Sequence, residues 1–369
     1  MFKTKLYSLI LPYRIIRISD HKNKFLKSVY LKSEKKIFKK HLNFFSRAKI
    51  YTEGYTVPEG FVSELNQINL HSDSGLLTFK SKIILESGMD LKRILNMDNL
   101  LKKIFNLRFK VNSQFKDEIC TSIIHLPWAK SSNFHWFIDC LSRIYLLKNY
   151  FKNEITILVS EKIKKFQLET LKFCIPKNWK IRMIKDNQVY KIERFIFPSF
   201  LNSHLSGYLD LRVIEFIKSK IIEGYNIEKK NTKKEKIFIS RNKANKRKIL
   251  NENKLHDILK KYNFKIIFSE DLKYKEQVEL FYQSKIIISA HGAGLTNILF
   301  SEEATVIELH PISDVRSHYC LLSLALDHIY HPIYLEVDDN SKKNPDMYVS
   351  NKNFLEIENL IKLSLENNI

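Results

Sequence analysis

Strand-like and helix-like segments alternate in the second half of the chain, and this alternation restricts the fold more than any other feature. Short apolar runs rich in β-branched residues predict strands, and between them apolar residues recur at helical spacing. The strand segments are 236–240, 264–268, 285–289 and 305–309, and the helical segments include 255–262 and 278–282. Strands that alternate with helices form βαβ units and a mostly parallel sheet. The sequence therefore predicts an α/β fold for this half.

The same alternation begins near residue 119, with weaker signals. Strands are predicted at 119–126, 155–159, 181–184 and 195–197, and helices at 134–150, 162–173 and 209–222. Residues 1–115 are rich in lysine and indicate little beyond two short strands, LLTF and KIIL. The run 228–236, EKKNTKKEK, has no apolar residue and is typical of a linker. A chain of 369 residues, at ~150 residues per domain, predicts two domains.

Charge is the most unusual feature of the composition. The 62 Lys and Arg residues exceed the 40 Asp and Glu residues by 22, which invites a polyanionic partner. Lysine outnumbers arginine by 50 to 12, and Ile, Asn and Phe are also abundant, as AT-rich codons favour. We therefore assign most of the lysines to codon bias. Attraction to an anionic membrane surface is a residual role for them.

Several classes of protein are excluded by simple counts. The longest segments without a charged side chain, 286–301 and 195–209, have 16 and 15 residues and are shorter than the ~20 residues that span a bilayer. The apolar stretch near the amino terminus is stopped by Pro12, and no small-residue cleavage site follows, so we expect it to belong to the mature protein. The four cysteines include no Cys-x-x-Cys pair, which argues against a zinc knuckle or dithiol site and fits a reducing cytoplasm.

Glycine is scarce, with 8 residues in 369, so a cluster of glycines is informative. One cluster follows a predicted strand and opens a short helical segment. It consists of His291, Gly292, Ala293, Gly294, Leu295, Thr296 and Asn297. Glycine allows close approach of the backbone to a ligand, and the N–H groups and dipole of a helix start attract an anion. The cluster indicates either a phosphate site or a tight turn with a histidine satisfied in the core.

A carboxylate follows at the end of the next predicted strand. Glu308 lies where an acidic side chain could accept hydrogen bonds from the two hydroxyls of a ribose. The pattern is Gly-x-Gly-x-x-Asn and lacks the third glycine of the dinucleotide fingerprint.

A second group of candidates follows the strand at 236–240. Arg241 and Arg247 are two of only twelve arginines, and they lie just beyond the carboxyl end of a strand, where α/β proteins bind ligands. The guanidinium fork suits phosphate oxygens. The alternative is a solvated basic loop, which the lysine bias also explains.

A third group lies on the predicted helix 134–150. His135, Asp139 and Arg143 are spaced four residues apart and share one face of a helix that is otherwise apolar. A histidine and a carboxylate could supply a general base and its orienting partner. A self-satisfied polar stripe at a domain interface is equally consistent with the spacing. An i, i+4 metal pair is also possible, although no third ligand stands out.

Long segments around these residues resemble glycosyltransferase family 61. They are RNKANKRKILNEN, FSEDLKYKEQVELFYQSKIIISAHGAGLTNILFSEEATVIELHP and the upstream NFHWFIDCLSRIYLL. The match is continuous from about 236 to 311 and patchy from about 119 to 150. Bacterial members of this family act in capsular and other surface polysaccharide synthesis.

The resemblance implies a fold and a separate binding role for each domain. The fold would be GT-B, an α/β architecture of two Rossmann-like domains that face a cleft. The acceptor-side domain would be 1–228 and the nucleotide-sugar-binding domain 229–345, followed by a terminal helix, 346–369, for which packing back on the first domain is one option. The reaction would be an inverting, metal-independent transfer from a nucleotide-sugar to a glycan or lipid-linked glycan acceptor.

The residues above then receive roles in a hypothetical mechanism. Glu308 would bind the ribose, and the amides around 292–296 with Arg241 and Arg247 would bind the diphosphate, while His291 and Asn297 position phosphate or sugar oxygens. Asp139 or His135 would be the base, with Asn133 and Arg143 on the acceptor side or between domains. No Asp-x-Asp element is present, and no metal or other cofactor is expected.

Two other classes stay open at this stage. A nicotinamide-dependent oxidoreductase also needs a glycine turn and a ribose carboxylate, but its fingerprint usually follows the first strand of the domain, and here the turn follows the third. A nucleic-acid-binding protein would explain the charge, but it would interleave arginines and aromatics in one patch, whereas the lysines here are dispersed. We expect no nucleic-acid partner, and a cytoplasmic or membrane-peripheral location.

Overall fold

A computed structural model describes residues 15–21, 26–80, 82–89, 94, 111–123, 132–203, 205–228 and 235–366. Within these ranges, no helix is both long and apolar enough to cross a membrane. Three predicted features lie wholly or partly outside the described residues: the apolar segment at the amino terminus, the end of the strand 119–126, and most of the linker 228–236.

The chain forms two compact units whose limits differ from the predicted domains. The first unit comprises Met1–Lys35 and Thr56–His204, and the second comprises Lys36–Tyr55 and Leu205–Ile369. The helix Leu211–Gly224 thus belongs to the second unit and not to the first. Its Lys218 explains the difference, because the ammonium group donates to the carbonyl of Ser301 at 3.0 Å and pairs with Glu302 at 3.1 Å.

The first unit contains a nine-stranded mixed sheet. The strands of this part of the chain are β1 (Ile15–Ile16), β2 (Leu26–Leu31), β3 (Glu34–Lys36), β4 (Tyr55–Val57), β5 (Gly60–His71), β6 (Leu77–Phe79), β7 (Lys82–Ile84), β8 (Val111–Ser122), β9 (Thr156–Ser160), β10 (Lys180–Ile184) and β11 (Val189–Pro198). The sheet order is β1-β7-β6-β5-β11-β8-β9-β10, with β2 paired to β5, and β3 and β4 form a separate pair.

Only part of this sheet is parallel. Strands β8, β9, β10 and β11 pair in parallel, as the alternating pattern predicts. Strand β5 pairs antiparallel with β2, β6 and β11. The expected Rossmann-like, mostly parallel first domain is therefore incorrect for β2, β5 and β6, which pair antiparallel. Gly75, with φ of 72°, allows the tight turn between β5 and β6.

The helices of the first unit flank the parallel strands. Helix α2 runs over the predicted segment but is not uniform: Asn133–His135 is α-helical, Trp136–Cys140 is a π-helix, Leu141–Arg143 is 3₁₀ and Ile144–Tyr150 is α-helical. Helix α3 is Lys165–Cys174. Short 3₁₀ helices span Ile18–His21 and Leu85–Gly88.

The second unit contains a six-stranded sheet in the order β13-β12-β14-β15-β16-β17. Its strands are β12 (Glu235–Ile239), β13 (Lys265–Ile267), β14 (Ser284–Ala290), β15 (Thr305–Pro311), β16 (Ile329–Val337) and β17 (Met347–Tyr348). All pairs are parallel except β16 with β17. The predicted parallel α/β sheet of this half is confirmed, because its central strands are buried on both faces and read as continuous apolar runs.

Helices and short turns complete the second unit. They are α1 (Leu42–Arg47), α4 (Leu211–Gly224), α5 (Glu252–Lys261), α6 (Tyr274–Tyr282), α7 (His318–Ala325) and α8 (Asn351–Glu366), with 3₁₀ helices Lys39–His41, Ser269–Asp271 and Ala293–Phe300. The terminal helix α8 buries Ile357 and Ile361 in one core with Ile333 and Leu335 of β16. The apolar face of α8 therefore belongs to the core of the second unit. The packing on the first domain that the sequence left open would require this face to lie elsewhere.

Candidate functional site

The carboxyl ends of the central parallel strands bring two of the predicted groups together. Arg241 lies two residues beyond the end of β12, His291 directly follows β14, and these two strands are neighbours in the sheet. The edge beyond the carboxyl ends is where open α/β sheets bind ligands. The structure therefore places the basic loop and the glycine turn at one site.

Gly292 and Arg241 are in direct contact. A Cβ atom on Gly292 would lie 1.9 Å from Nη1 and 2.8 Å from Cζ of Arg241. The φ angle of Gly292 is −178°, an extended conformation that any residue adopts. Gly292 is thus required by the space that the guanidinium occupies and not by the backbone turn, which corrects the turn-based part of the sequence argument.

Arg247 is buried and Arg241 is partly buried, and both have unused donors. Arg241 Nη2 donates to the carbonyl of Lys246 at 3.1 Å. The Nε atoms of both arginines are buried and have no hydrogen-bond partner among the described residues. Buried donors without partners are rare in folded proteins and point to a missing ligand.

The lowered pKa values of these arginines also indicate a site that favours an anion. Burial, together with repulsion from Arg241 and Arg316, lowers the pKa of Arg247 to about 10. Burial likewise lowers the pKa of Arg241. Arg247 also has a φ of 56°, in the left-handed region that arginine disfavours. Arg316 pairs with Asp314 at 2.6 Å, whereas Arg241 and Arg247 repel each other and would be stabilised by a bound anion.

The 3₁₀ helix Ala293–Phe300 begins beside these arginines. Its first residues, Ala293 and Gly294, are exposed or partly exposed, and its N-cap Gly292 provides no side-chain cap. The first N–H groups of a helix have no partner within the helix and attract negative charge. The helix start and the arginines therefore lie together and offer donors of the kind that the phosphate interpretation requires.

The rest of the glycine turn faces inward. Leu295, Thr296 and Asn297 have no exposed surface. The Asn297 side chain accepts from the Tyr274 hydroxyl at 2.9 Å and donates to Gln277 at 3.0 Å. The predicted role of Asn297 in positioning phosphate or sugar oxygens is therefore incorrect, since its amide already holds helix α6 to the 3₁₀ helix.

Glu308 is also fully buried. Its Oε1 accepts from His291 Nδ1 at 2.5 Å, and its Oε2 accepts from the Tyr330 hydroxyl at 2.6 Å. Burial would raise the pKa of Glu308, but His310 and His291 lower it by a larger amount. Because both oxygens are engaged inside the protein, the predicted ribose contact of Glu308 is not available.

Glu308 instead fixes the ring of His291. Burial lowers the pKa of His291 to about 4, although Glu308 opposes this shift. The neutral ring then donates Nδ1–H to the carboxylate and presents Nε2 as an acceptor. His291 is thus an oriented neutral imidazole adjacent to the arginines, which agrees with the predicted positioning role but does not test it.

Helix α1, inserted early in the chain, covers this network. The ring of Phe44 lies 5.6 Å from that of His310 and 5.5 Å from that of Tyr330. One further reading of the network is a metal site, because ligand atoms of His291, Glu308 and His310 lie within 4.8 Å of one another. The short hydrogen bonds among these side chains already satisfy the carboxylate, so a hydrogen-bonded network explains the group without an ion.

The third predicted group lies in the first unit. His135 Nδ1 and Asp139 Oδ2 are 2.7 Å apart, and Asp139 Oδ1 accepts from Asn202 Nδ2 at 2.8 Å. The Asp139 side chain is 2% exposed and that of His135 is 20% exposed. Of the two predicted bases, only His135 can reach a substrate, and Asp139 orients it. The pair lies at a π-helical turn, a feature frequent at functional sites.

Arg143 is buried away from any ligand. Its guanidinium donates twice to the carbonyl of Pro198, at 3.0 and 2.7 Å, and lies 4.5 Å from the centre of the Phe200 ring. It therefore anchors the segment that carries Asn202. Asn133 is partly exposed at the first turn of α2, next to the N-cap Ser132.

Sequence reasoning missed four residues that the structure adds. They are Asn202, Arg316, Tyr319 and Tyr330. Asn202 and Tyr330 hydrogen-bond to Asp139 and Glu308, and Arg316 and Tyr319 interact electrostatically with Arg247. The scarcity of arginine could have marked Arg316, since it is one of twelve. The other three carry no pattern, because they join the site through tertiary contacts.

Part of the chain matches a known family and named relatives. Residues 134–307 match the family model described as Glycosyltransferase 61. The chain is also similar to EGF domain-specific O-linked N-acetylglucosamine transferases, with 33% identity over 143 residues to that of Gallus gallus, and 32% to those of Canis lupus familiaris and Bos taurus. These matches cover 36% of this chain and span about a quarter of the length of the relatives, 26% for the Gallus gallus protein.

Proposed function

Because residues 134–307 belong to glycosyltransferase family 61, we propose that this protein transfers a sugar from a nucleotide-sugar donor to a glycan acceptor. The observation that carries the proposal is the pair of buried, unpartnered Nε donors of Arg241 and Arg247 beside a helix start. A nucleoside diphosphate supplies the anionic oxygens that such donors require. The curated relatives make N-acetylglucosamine the first donor sugar to test.

The donor diphosphate binds at the arginines and leaves from there. As the bond between the anomeric carbon and the phosphate oxygen breaks, the diphosphate takes the electron pair, and Arg241, Arg247 and the amides of Ala293 and Gly294 stabilise its charge. His291 Nε2 accepts a hydrogen bond from a donor hydroxyl. Fixed cations replace the metal that an Asp-x-Asp element would hold, so the proposed transfer is independent of a divalent metal.

The base of the proposed mechanism is His135. Its Nε2 removes the proton from the acceptor hydroxyl, and the oxygen attacks the anomeric carbon on the side opposite the diphosphate, which inverts the configuration. Asp139 holds the Nδ1–H and stabilises the imidazolium that forms. The proposal includes the GT-B arrangement, with the donor in the second unit and the acceptor in the first.

Surface polysaccharide synthesis is the proposed setting, with a glycan or lipid-linked glycan as acceptor. Such an enzyme would act in the cytoplasm or at the inner membrane leaflet, where its lysines would favour anionic lipid. A Rossmann-type oxidoreductase and a polyanion-binding protein are the alternatives.

Thermal stabilisation by a panel of ligands tests the donor site. UDP and UDP-N-acetylglucosamine are compared with CMP, GDP, NAD and a short RNA, since a ligand that binds only the folded state raises Tm. We expect a nucleoside diphosphate to stabilise the protein and Arg241→Ala to weaken its binding at least tenfold, roughly the loss of one charged hydrogen bond. Lys246→Ala removes a charge from the same loop and is the control.

Four outcomes would contradict the proposed function or part of it. Stabilisation by NAD alone would favour the oxidoreductase, and stabilisation by RNA alone would favour the polyanion-binding protein. Unchanged nucleotide affinity in Arg241→Ala would refute the diphosphate site. Donor turnover should also persist in excess EDTA, and its loss with restoration by a divalent metal would refute metal independence.

A further inference from the structure

A cavity in the first unit adjoins the His135 network. It has a volume of about 250 Å³ and is bordered by residues of three segments, 58–61, 86–89 and 199–203. This volume is below the ~300–1,000 Å³ of sites that hold drug-sized ligands, and it suits one ring better than an extended chain. Asn202, which donates to Asp139, is one of its lining residues.

The chemistry of Asn202 fixes which atom is left for a ligand. A carboxylate only accepts hydrogen bonds, so the amide NH₂ must face Asp139 and the amide oxygen must point elsewhere. Asn202 is 3% exposed, and its Oδ1 is buried with no hydrogen-bond partner among the described residues. A buried acceptor without a partner is costly unless a donor completes it.

The other lining groups restrict the charge of that donor. The cavity is bordered by the carboxylates of Glu59 and Glu86 and by the rings of Phe61 and Phe200. Lys27 pairs with Glu59 and lies 4.4 Å from the centre of the Phe61 ring. Glu86 accepts from the backbone N–H of Ile18 at 3.1 Å. Two acidic and two aromatic residues in the lining suit a hydroxylated, uncharged ring better than a carboxylate or phosphate.

From these observations we infer that the cavity is the acceptor subsite and holds one neutral sugar residue, such as a hexose or an N-acetylhexosamine. A hydroxyl of that sugar donates to Asn202 Oδ1. The bound sugar thereby extends the hydrogen-bonded chain Asn202, Asp139, His135 that orients the base. The assignment rests on the proposed function, because it identifies the acceptor of that reaction.

Binding of small sugars to the full-length protein tests the inference by ligand-observed NMR. The probes are methyl glycosides of neutral hexoses and N-acetylhexosamines, with methyl glucuronide and a hexose 6-phosphate as charged counterparts. We expect a neutral glycoside to bind and the charged ones not to bind. Asn202→Ala should weaken the neutral ligand about tenfold, while the nucleotide-induced rise in Tm is retained.

Two further variants distinguish a loss of sugar binding from a folding defect. Asn149→Ala replaces an exposed asparagine on α2, whose amide donates only to a carbonyl of its own helix, and should bind sugar like the wild type. Ser203→Leu narrows the cavity from a partly exposed position and should weaken sugar binding even if Asn202→Ala does not fold.

The outcomes separate this inference from the proposed function. Nucleotide binding without neutral-sugar binding, equal binding of charged sugars, or wild-type sugar affinity in both cavity variants would overturn the acceptor subsite and leave the donor site intact. Sugar binding without any nucleotide binding would overturn the acceptor role together with the proposed function.

Discussion

Gly292 illustrates how a single missing carbon atom shapes the candidate site. Its backbone is extended, so alanine could adopt the same conformation, but the space of a Cβ atom is filled by the Arg241 guanidinium. Gly294 differs, because a Cβ there would lie 3.3 Å from Ser269 Oγ and 3.4 Å from Ile239 Cγ2. The two glycines look alike in the sequence and have different reasons to be glycine.

Alanine at these two positions should therefore have unequal effects. Gly292→Ala forces the Arg241 side chain out of its position and should weaken nucleotide binding at least tenfold, about 1.4 kcal/mol. Gly294→Ala requires only a small shift of neighbouring atoms and is the matched control. Isothermal titration with the nucleotide that stabilises the wild type measures both, and equal affinities in the two variants would contradict the contact.

His135 is the residue whose chemistry the proposed mechanism depends on most. We expect His135→Gln to lower kcat by roughly 10²–10⁴-fold, the usual contribution of a general base, with little change in donor affinity. His256→Gln is the control, because His256 also pairs with a carboxylate four residues away, at 3.1 Å from Glu252, and its side chain is 19% exposed. A kcat within twofold of wild type in His135→Gln would exclude it as the base.

At the scale of elements, runs of apolar, β-branched residues decided which strands the sequence predicted, including β13, which is exposed or partly exposed throughout. Strands β12, β14 and β15 are buried throughout or nearly so and were predicted from their apolar runs. Strand β16 alternates in burial and contains Pro332, and our patterns did not indicate it. The π-helical turn in α2 also has no sequence signal, since the apolar residues around it fit a regular helix equally well.

His328 connects two elements of the second unit and should make stability depend on pH. Its Nε2 donates to the carbonyl of Ile298 in the 3₁₀ helix at 3.1 Å, and its Nδ1 accepts from the amide of Ala304, which precedes β15, at 3.3 Å. Burial lowers the pKa of His328 to about 4. Protonation of the folded state would therefore destroy the bond to Ala304.

The sign of the effect follows from proton binding. Between the unfolded pKa of 6.5 and the folded value of about 4, the unfolded state binds more protons, so stability falls as the pH decreases. As the pH falls from about 7.5 to about 5, the contribution of His328 should lower the free energy of unfolding by roughly 2 kcal/mol. His328→Gln keeps a donor and an acceptor without titrating, and urea unfolding should show a smaller pH dependence. An unaltered pH dependence would refute this role.

At the scale of the whole molecule, the net charge of +22 has little connection with the candidate site. The site uses three arginines that are buried or partly buried, whereas many lysines are exposed and several pair with nearby carboxylates, such as Lys261 with Glu358 at 2.7 Å. Exposed charges are screened by salt far more than buried ones.

Salt should therefore separate the two kinds of anion binding. From about 0.05 M to about 0.5 M NaCl, any association with RNA should fall by orders of magnitude, because it depends on released counterions. Nucleotide affinity should fall by less than about tenfold, because its cations are partly buried. Fluorescence anisotropy with labelled RNA and labelled nucleotide measures both, and parallel loss of the two affinities would place the nucleotide on the exposed lysines.

The sequence by itself determined the α/β class of the second half, the candidate residues that follow its strands, and the resemblance to the family whose model residues 134–307 match. Those features are local: apolar periodicity, a rare glycine pair and rare arginines are visible within short windows. The limits of the units, the antiparallel part of the first sheet, and the inward direction of Asn297 and Glu308 depend on partners far away in the chain. Only the tertiary structure decided them, because burial and hydrogen-bond partners are set by packing between distant segments, and a side chain's role follows from what it contacts.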